Sequence, residues 1–395
     1  MITTTQGGRQ LAAIDALLLR HQSLWRANSP TAQHCSAYQG LFAHLSHYCA
    51  DDIARLQGDD LLLLKRLAGV FPDAHTIAEI ITAFDTPLAQ RQQEPPAGIP
   101  GRKWQQIQAF CATQSPLLGE VIEWCAGKGY LGEALCQDPR HQPQSLTALE
   151  IDPTLVAAGN QRAQRLQQAR RIETCDVFSH AAEAFIHQHS SVLGLHACGG
   201  LHQRMLTLST QRQAAAVALA PCCYHRFSDR YQTLSNAASQ SALQLSNDDL
   251  RLAVRQTKTA RRGETLARRQ LQRWWLACQQ LATEQGRRLP HFRSLPHSAA
   301  KLGFAHFVAQ QCAANALPGL SLDNAEAALQ RAAQQQLQDE QQELAAMMFR
   351  RLLELRCVLD SALFLCEQGY QVQLQAFCPS ELSPRNLLIT AQRPS

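Results

Sequence analysis

The chain has 395 residues, of which 45% are hydrophobic, with a formal net charge of +5 and 14 cysteines. This length is enough for two or three domains, and the composition is that of globular proteins. No apolar run is long enough to cross a bilayer, and residues 1–6 lack the basic-then-apolar order of a signal peptide. The scattered cysteines include no Cys-x-x-Cys pair, which argues against a disulfide scaffold or a zinc ribbon. We therefore expect a cytoplasmic protein with reduced thiols and no membrane partner.

Residues 1–92 have apolar residues at helical spacing and lack the alternation of strands, so we predict a helical N-terminal domain. A proline- and glycine-rich linker follows at 93–101. The N-terminal region contains four metal-ligating residue types, but we assign no metal there, because core and surface histidines are far commoner than metal ligands. These residues are Cys35, His44, His47 and Cys49.

The segment 120–150 is predicted to form a strand, a glycine turn, a helix and a second strand. The glycines have the spacing G-x-G-x-x-G and are Gly127, Gly129 and Gly132. With Glu150 about 20 residues after the turn, this spacing matches the dinucleotide fingerprint, and it also fits a loop that binds S-adenosylmethionine (SAM). Glu123 favours SAM, because a carboxylate at the end of the first strand would repel a pyrophosphate but suits an ammonium group. A tight turn with two surface acids is the alternative without a ligand.

We therefore predict SAM as the cofactor. Glu150 ends the second strand, where a carboxylate can accept hydrogen bonds from both ribose hydroxyls. Asp176 ends the third strand, where it can either reach the adenine amino group or cap the next helix. The predicted cofactor-binding residues are Glu123, Cys125, Ala126, Gly127, Gly129, Glu150, Asp176 and His196.

Strand-like and helical segments alternate from 120 to 220, which indicates an α/β fold with a parallel sheet and crossover helices. Near the end of the sequence, 370–377 and 386–391 are predicted to form an antiparallel hairpin. A parallel sheet that ends in an antiparallel hairpin is the Rossmann-like plan of class I SAM-dependent methyltransferases. An ordinary NAD-binding half-domain does not end in such a hairpin. The predicted domains are a helical domain at 1–92, a linker at 93–101, a SAM-binding methyltransferase domain at 102–225 and 370–395, and a mainly helical basic insertion at 226–369.

The fourth and fifth predicted strands end in histidines and cysteines. Strands one and four should flank the point where strand order reverses, which is where open α/β sheets bind ligands. One of the histidines could be a general base, Cys222 could be a nucleophilic thiolate of the cytosine-C5 type, or the cluster could bind zinc. Buried cysteines used as small apolar residues are the structural alternative. We favour a transfer site with one catalytic histidine and assign no metal; its residues are His225, His196, Cys198, Cys222 and Cys223.

Residues 251–301 contain twelve Lys or Arg residues, opposed only by Glu264 and Glu284. Arginine dominates, and its planar fork suits phosphate groups. Trp274 and Trp275 within this run could stack on an unpaired base or anchor a helix in the core. We predict that structured RNA, with tRNA favoured, binds here through its backbone; a solvated helix face is the alternative. The glutamine-rich part at 330–342 is predicted to be exposed.

Four motifs resemble one known family: Cys125-Ala126-Gly127-Lys128-Gly129-Tyr130-Leu131, Leu195-His196-Ala197-Cys198-Gly199-Gly200-Leu201, Cys222-Cys223-Tyr224-His225 and Ser383-Pro384-Arg385-Asn386. They resemble the methyltransferase-domain proteins related to the eukaryotic tRNA 2′-O-methyltransferase that acts on the acceptor stem. The resemblance extends from about residue 100 to the end. Cys125 replaces the first glycine of the family's loop, and the zinc fingers of the tRNA enzyme have no clear counterpart in residues 1–92.

The resemblance implies a SAM-dependent methyltransferase that acts on RNA. A regulatory protein that binds SAM or RNA without turnover is the second hypothesis, and the intact acids, glycines and His/Cys cluster favour the enzyme over it. An NAD-dependent oxidoreductase is third, because Glu123 and the terminal hairpin argue against it.

Overall fold

The computed structural model describes residues 1–26, 36–84, 94–255 and 262–394. It contains two compact units. The first comprises Met1–Thr31, Pro72–Arg255 and Met348–Ser395, and the second comprises Ala32–Phe71 and Gln256–Met347. This division differs from the predicted one, because the helices within 1–92 are shared between the two units and form no domain of their own.

A seven-stranded sheet forms the centre of the first unit, in the order β3-β2-β1-β4-β5-β7-β6. Its strands are β1 (Glu120–Trp124), β2 (Ser145–Glu150), β3 (Arg170–Thr174), β4 (Ser190–Ala197), β5 (Ala216–Pro221), β6 (Gln371–Ala376) and β7 (Leu387–Gln392). The strands β1 to β5 pair in parallel, and β7 lies antiparallel between β5 and β6. Strand order reverses between β1 and β4. The predicted fold class, a class I methyltransferase sheet that ends in an antiparallel hairpin, is confirmed.

The middle of each strand at the reversal point is apolar, because both faces of the sheet are covered there. Val121 and Val192 are fully buried in β1 and β4. The indole of Trp124, at the end of β1, donates a hydrogen bond of 3.0 Å to the carbonyl oxygen of Leu201. On the other side of the sheet, the rings of Phe110 and Phe377 pack edge to face with centroids 6.1 Å apart. The carboxyl ends of β1 and β4 are therefore held firmly beside each other.

The first unit also contains α-helices, some of which pack against the sheet. They are α1 (Thr4–Arg20), α2 (Gln22–Trp25), α6 (Ala74–Thr82), α7 (Gly101–Ala112), α8 (Tyr130–Gln137), α9 (Pro153–Arg165), α10 (Gly200–Gln211), α11 (Asn236–Ser239), α12 (Asn247–Ala253) and α16 (Arg350–Glu367), with a 3-10 helix at His180–Phe185. No helix in the described ranges is long and apolar enough to cross a membrane.

Helix α16 was expected within the basic insertion but belongs to the first unit. Nearly all of its residues are buried, which is typical of a helix with apolar residues on every side. Its buried charges have partners: Arg356 lies 3.3 Å from Asp15 of α1, and Asp360 accepts hydrogen bonds from the Tyr231 hydroxyl and the Ser235 backbone. The helix therefore packs as a central element of the first unit.

The second unit is helical. It contains α3 (Gln39–Leu45), α4 (Ala50–Gln57), α5 (Asp60–Leu67), α13 (Arg262–Glu284), α14 (Phe304–Ala314) and α15 (Ala325–Met347). The expectation that 330–342 is exposed holds for one side of α15 only, since residues such as Gln334 and Gln338 are exposed while others are buried. The Gln341 side chain is buried and donates to the carbonyl oxygens of Ser46 and Tyr48, while buried Gln336 donates to the carbonyl oxygen of Arg269. Long amide side chains are buried here because they satisfy backbone groups of neighbouring segments.

Candidate functional site

The glycine turn after β1 has the backbone of a ligand cradle. Cys125, Gly127 and Gly129 all have positive φ angles, of 53°, 59° and 67°. A Cβ added to Gly129 would lie 2.7 Å from the Arg170 guanidinium, so this position requires glycine. A Cβ added to Gly127 would meet nothing within 4 Å, so the turn borders open space at that residue. Cys125 adopts a left-handed conformation that favours glycine, and its side chain is half-buried.

Glu123, at the end of β1, is buried against the start of α8. Its Oε2 accepts a hydrogen bond of 2.8 Å from the backbone N–H of Gly132. Burial raises the pKa of Glu123 to about 7, although the Gly132 N–H and the charge of Arg170 oppose the rise. Lys103 of α7 also lowers the pKa of Glu123 by its charge, and its Nζ lies 4.7 Å from the centroid of the Tyr130 ring. A cationic ligand group beside Glu123 would stabilise its ionised form.

Glu150, at the end of β2, ties the second strand to the turn. Its Oε2 accepts a hydrogen bond of 2.8 Å from Gly127 N, and its Oε1 accepts from the N–H groups of Ile151 and Asp152. These bonds hold the carboxylate at the rim of the cradle, at the position predicted for a group that contacts ribose.

Asp176, after β3, forms a local turn in which its Oδ1 accepts from the backbone N–H of Phe178. The residue at the N-cap of the following 3-10 helix is Ser179 and not Asp176. Asp176 is therefore not the cap of this helix, as one of the two alternatives expected, because Ser179 has that place. The predicted contact of Asp176 with adenine stays a prediction.

His196, in β4, has a positive φ of 62° beside the β-bulge where β4 pairs with β5. Its Nε2 lies 2.9 Å from Oε1 of Gln106 in α7, and the Gln106 amide nitrogen donates to the Leu382 carbonyl. Since Gln106 thus presents its oxygen, Nε2 of His196 carries the proton and Nδ1 has the lone pair. Burial lowers the pKa of His196 to about 4, with smaller contributions from the charges of Arg385 and Lys103. The imidazole is therefore neutral at physiological pH.

Three of the predicted cysteines converge. The sulfur atoms of Cys198, Cys222 and Cys223 all lie within 4.8 Å of one another, and those of Cys198 and Cys222 are 3.0 Å apart. The last register pair of β4 and β5, Ala197 and Pro221, brings the two segments side by side. The hydrogen bonds from Cys198 and Cys222 hold the pKa of the Cys223 thiol well below its usual range. We refer to these three residues as the thiol cluster.

His225 lies two residues beyond the thiol cluster in the chain. Its ring is partly exposed, but its Nδ1 is buried and has no hydrogen-bond partner in the described structure. Burial lowers the pKa of His225, while the nearby Cys223 opposes this shift. The structure therefore brings His225 near Cys223, and the predicted catalytic role of His225 stays a prediction.

The motif at 383–386 also contributes to this region. Asn386 is buried, donates to the Cys378 carbonyl and accepts from the Arg351 guanidinium. These bonds fix the segment between β6 and β7. Arg385 next to it has a charge that lowers the pKa values of both Cys223 and His196. The motif thus places a cation beside the predicted transfer residues.

The histidines and cysteine considered as metal ligands in the N-terminal region have other partners. His44 Nε2 lies 3.0 Å from the Tyr48 hydroxyl, and His47 Nδ1 lies 2.8 Å from the Ala43 carbonyl. The Cys49 thiol donates to the Asp52 carboxylate. Cys35 lies outside the described residues. This part of the described chain contains no group of metal-ligating atoms like the thiol cluster.

The basic run is divided between structural and exposed side chains. Arg269 pairs with Glu340 through two hydrogen bonds, Arg273 donates to Gln336, and Arg287 donates to the carbonyls of Pro318 and Gly319. These three arginines therefore hold the second unit together. Side chains at six other positions are exposed: Arg251 and Arg255 in the first unit, and Arg268, Arg288, Arg293 and Lys301 in the second. Lys258, Arg261 and the side chain of Arg262 lie outside the described residues.

The two tryptophans of the run are used in packing. Trp274 is buried, with ring centroids 6.0 and 5.7 Å from those of Phe304 and Phe307. Trp275 is half-buried, and its ring meets that of Phe292 at 5.2 Å. The core interpretation therefore holds for Trp274.

Residues 102–230 match a family whose description is "Methyltransferase domain". This segment spans β1 to β5, the glycine turn and the thiol cluster. Residues 102–230 form a methyltransferase domain. No curated protein matches the chain.

Several solved structures resemble parts of the chain. One, from a study of the conversion of a disulfide bond into a thioacetal group during echinomycin biosynthesis, is 16% identical, with a TM-score of 0.24. That likeness covers 28% of this chain and 48% of the other, about half of its length. A putative RNA methyltransferase from Pyrococcus horikoshii is 13% identical, with coverages of 38% and 73% and a TM-score of 0.24. The plantazolicin methyltransferase BpumL is 13% identical, with coverages of 51% and 69% and a TM-score of 0.21.

Sequence reasoning missed two residues of the methyltransferase domain that shape this site. Gln106 orients His196 from 90 positions away, and an isolated glutamine in a helix gives no signal of such a role. Lys103 contributes charge beside Glu123, and a single lysine in a helix gives no signal of such a role. Arg385, outside 102–230, was predicted only as a member of a motif. The signal available in the sequence was the position of Arg385 in the link between the last two predicted strands.

Proposed function

We propose that this chain is a SAM-dependent methyltransferase that acts on RNA, with tRNA as the favoured substrate. The observation that carries the cofactor assignment is the turn after β1, where Glu123 and Glu150 flank Gly127 at the point of strand reversal. The open space at Gly127 fits a ligand that approaches the backbone closely. When bound, SAM supplies an electrophilic methyl group.

Each residue of the turn has a defined task in this proposal. Glu123 pairs with the ammonium group of the methionine part, and its ionisation is favoured by that charge. Gly127 and Gly129 allow the main chain to approach the cofactor. Glu150 accepts hydrogen bonds from ribose hydroxyls, as acids at this position do in related sheets. Asp176 contacts the adenine amino group.

His196 is the proposed general base. It is neutral at physiological pH, and Gln106 fixes the proton on Nε2, so Nδ1 is the atom that can accept a proton from a substrate hydroxyl or nitrogen. Gln106 is a positioning residue, because it sets the tautomer without contacting the substrate. His225 and the thiol cluster line the transfer site, and Arg385 adds positive charge beside them.

Two observations support RNA as the substrate. The second unit exposes Arg268, Arg288, Arg293 and Lys301, which can contact phosphates without breaking its internal ion pairs. The four motifs also resemble those of the tRNA 2′-O-methyltransferase relatives. Arg269, which belongs to the basic run at 251–301, contributes less to this proposal because its guanidinium is paired with Glu340.

Isothermal titration of the full chain with SAM, S-adenosylhomocysteine and NADH tests the cofactor. We expect micromolar affinity for both sulfur nucleotides and none for NADH. Tight NADH binding without SAM binding would replace the methyltransferase by an oxidoreductase. Transfer of a labelled methyl group from SAM to total tRNA then tests turnover, and SAM binding without transfer to any RNA fraction would leave the regulatory hypothesis.

A further inference from the structure

We propose that the thiol cluster is a zinc site in which Cys198, Cys222 and Cys223 are the thiolate ligands and His225 supplies the fourth. The three sulfur atoms lie within 4.8 Å of one another in the described structure. In tetrahedral zinc sites each sulfur is about 2.3 Å from the metal, which puts two sulfurs about 3.8 Å apart. The observed spacing therefore accommodates a zinc ion after a small separation of Cys198 and Cys222.

The surroundings of the cluster suit a cation better than an apolar core. Cys198 and Cys223 are only half-buried, so they are not packed as small apolar residues. The sulfur atoms of Cys198 and Cys222 both lie near the carbonyl oxygen of His196, at 3.5 and 3.2 Å, and Cys222 Sγ is also 3.9 Å from the Ala197 carbonyl oxygen. Three sulfurs turned toward one another, with carbonyl groups behind them, form a soft, electron-rich centre.

Backbone geometry holds two of the ligands in place. Cys198 and Cys222 directly follow the register partners Ala197 and Pro221 at the ends of parallel strands. The strand pairing therefore holds their main chains side by side before any metal binds, and only the side chains need to adjust. Gly199, which follows Cys198 at φ 47°, has no space for a Cβ because the Arg226 carbonyl oxygen would be 1.9 Å away. The turns after β4 and β5 are thus locked against each other around the cluster.

The fourth ligand is assigned to His225. Its Nδ1 is buried without a hydrogen-bond partner in the described residues, which is costly for a neutral imidazole unless a ligand completes it. It follows Cys223 by two residues, so it can turn toward the cluster by a local movement. A Cys3His set is a known structural zinc arrangement, and each thiol loses its proton when the metal binds.

Elemental analysis of the full chain, purified under reducing conditions without chelator, tests the site independently of methyl transfer. We expect about one zinc per chain, and a loss of at least tenfold in zinc content for Cys198→Ser, Cys222→Ser and Cys223→Ser. The matched control is Cys49→Ser, because Cys49 is exposed in the second unit and serine keeps its helix-capping contact. His225→Ala should bind zinc more weakly than the wild type, because one of four ligands is lost, and unchanged affinity would overturn the assignment of the fourth ligand.

Cobalt substitution tests the site on the wild-type chain, so it does not depend on variants that fail to fold. The wild-type chain, stripped of metal and titrated with Co²⁺, should show a thiolate-to-cobalt charge-transfer band that saturates at one equivalent. If the metal-free protein shows no such band after Co²⁺ is added, the proposal is overturned. Stoichiometric copper would overturn the identity of the metal, and a Cys198–Cys222 disulfide in freshly isolated protein would show that the cluster is a redox pair. SAM binding is measured on the same samples, so a missing metal does not by itself count against the methyltransferase.

Discussion

The carboxylate of Glu123 accepts a hydrogen bond from the backbone N–H of Gly132 across 2.8 Å, which places a buried acid at the first turn of α8. Gly132 is nine positions after Glu123 in the chain, and the glycine turn between them brings the acid to the helix N-terminus. Burial raises the pKa of Glu123 to about 7. The charge of this residue is therefore sensitive to pH near neutrality.

The first prediction is that SAM affinity depends on pH through Glu123. Below its pKa of about 7 the carboxyl is neutral in the free protein, and binding an ammonium group requires loss of a proton. Affinity should therefore fall as pH decreases from about 7, by up to tenfold per unit. Calorimetry in buffers of different ionisation enthalpy should detect the released proton. Glu123→Gln should bind more weakly with a flat profile, and a flat profile in the wild type would contradict the assignment.

The second prediction concerns the two glycines of the turn. Asn tolerates the left-handed conformation of Gly127, and the space beside that residue is open, so Gly127→Asn should change the free energy of unfolding by less than about 1 kcal/mol. Its side chain would occupy the proposed ligand space and should weaken SAM binding at least tenfold. Gly129→Ala is the contrasting variant. Its Cβ would meet Arg170 and Ile172, so it should destabilise the fold by about 1–3 kcal/mol. Chemical denaturation and calorimetry on both variants measure these effects.

An unaffected SAM affinity in Gly127→Asn would mean that the cofactor does not pass over this turn. Equal stability of Gly129→Ala and the wild type would mean that the turn repacks easily. The two outcomes are independent, because one variant tests open space and the other tests a close contact.

The third prediction is that Gln106 sets the protonation of His196. Gln106→Glu would place a carboxylate beside Nε2 and stabilise the imidazolium, so the acid limb of the methyl-transfer rate should move upward from about pH 4. Gln106→Leu would no longer fix the proton on Nε2 of His196. It should lower the methyl-transfer rate without moving the acid limb of the pH profile upward. His196→Gln should lower the rate by about 10²–10⁴-fold and leave SAM affinity within about twofold. If Gln106→Glu leaves the pH profile unchanged, His196 is not the base.

The sheet was predictable because its strands are short apolar runs that glycine and proline separate. Both acids that flank the turn could be placed for the same reason, since a carboxylate at the end of a predicted strand must lie at the ligand edge of a parallel sheet. The cysteines after β4 and β5 followed from the same rule. Their mutual distance did not, because it depends on the β-bulge between Leu195 and Ala197.

The division into units could not be predicted from the sequence. Helical periodicity shows which face of α1 is apolar, but it does not show that Asp15 pairs with Arg356, which is 341 residues later. Glutamines at 336 and 341 have the composition of a surface, and only the carbonyl groups they reach explain their burial. Long-range polar pairs of this kind leave no periodic signal.

The last prediction concerns RNA and the exposed cations of the second unit. Contacts to phosphate release counterions, so affinity should fall steeply with salt, and log K should change by about −0.7 to −0.9 per neutralised phosphate for each unit of log salt. Reversing three exposed arginines to glutamate should weaken binding to tRNA and reduce this slope by about 2, with SAM affinity unchanged. Filter binding over a range of salt concentrations measures both quantities for the variant with Arg268→Glu, Arg288→Glu and Arg293→Glu. A control with the same net charge reverses three exposed cations of the first unit, namely Arg9, Arg165 and Arg393. Equal losses in the two variants would mean that net charge alone drives binding. Binding that is independent of salt, or absent at low salt, would instead favour a protein or small-molecule substrate for this methyltransferase.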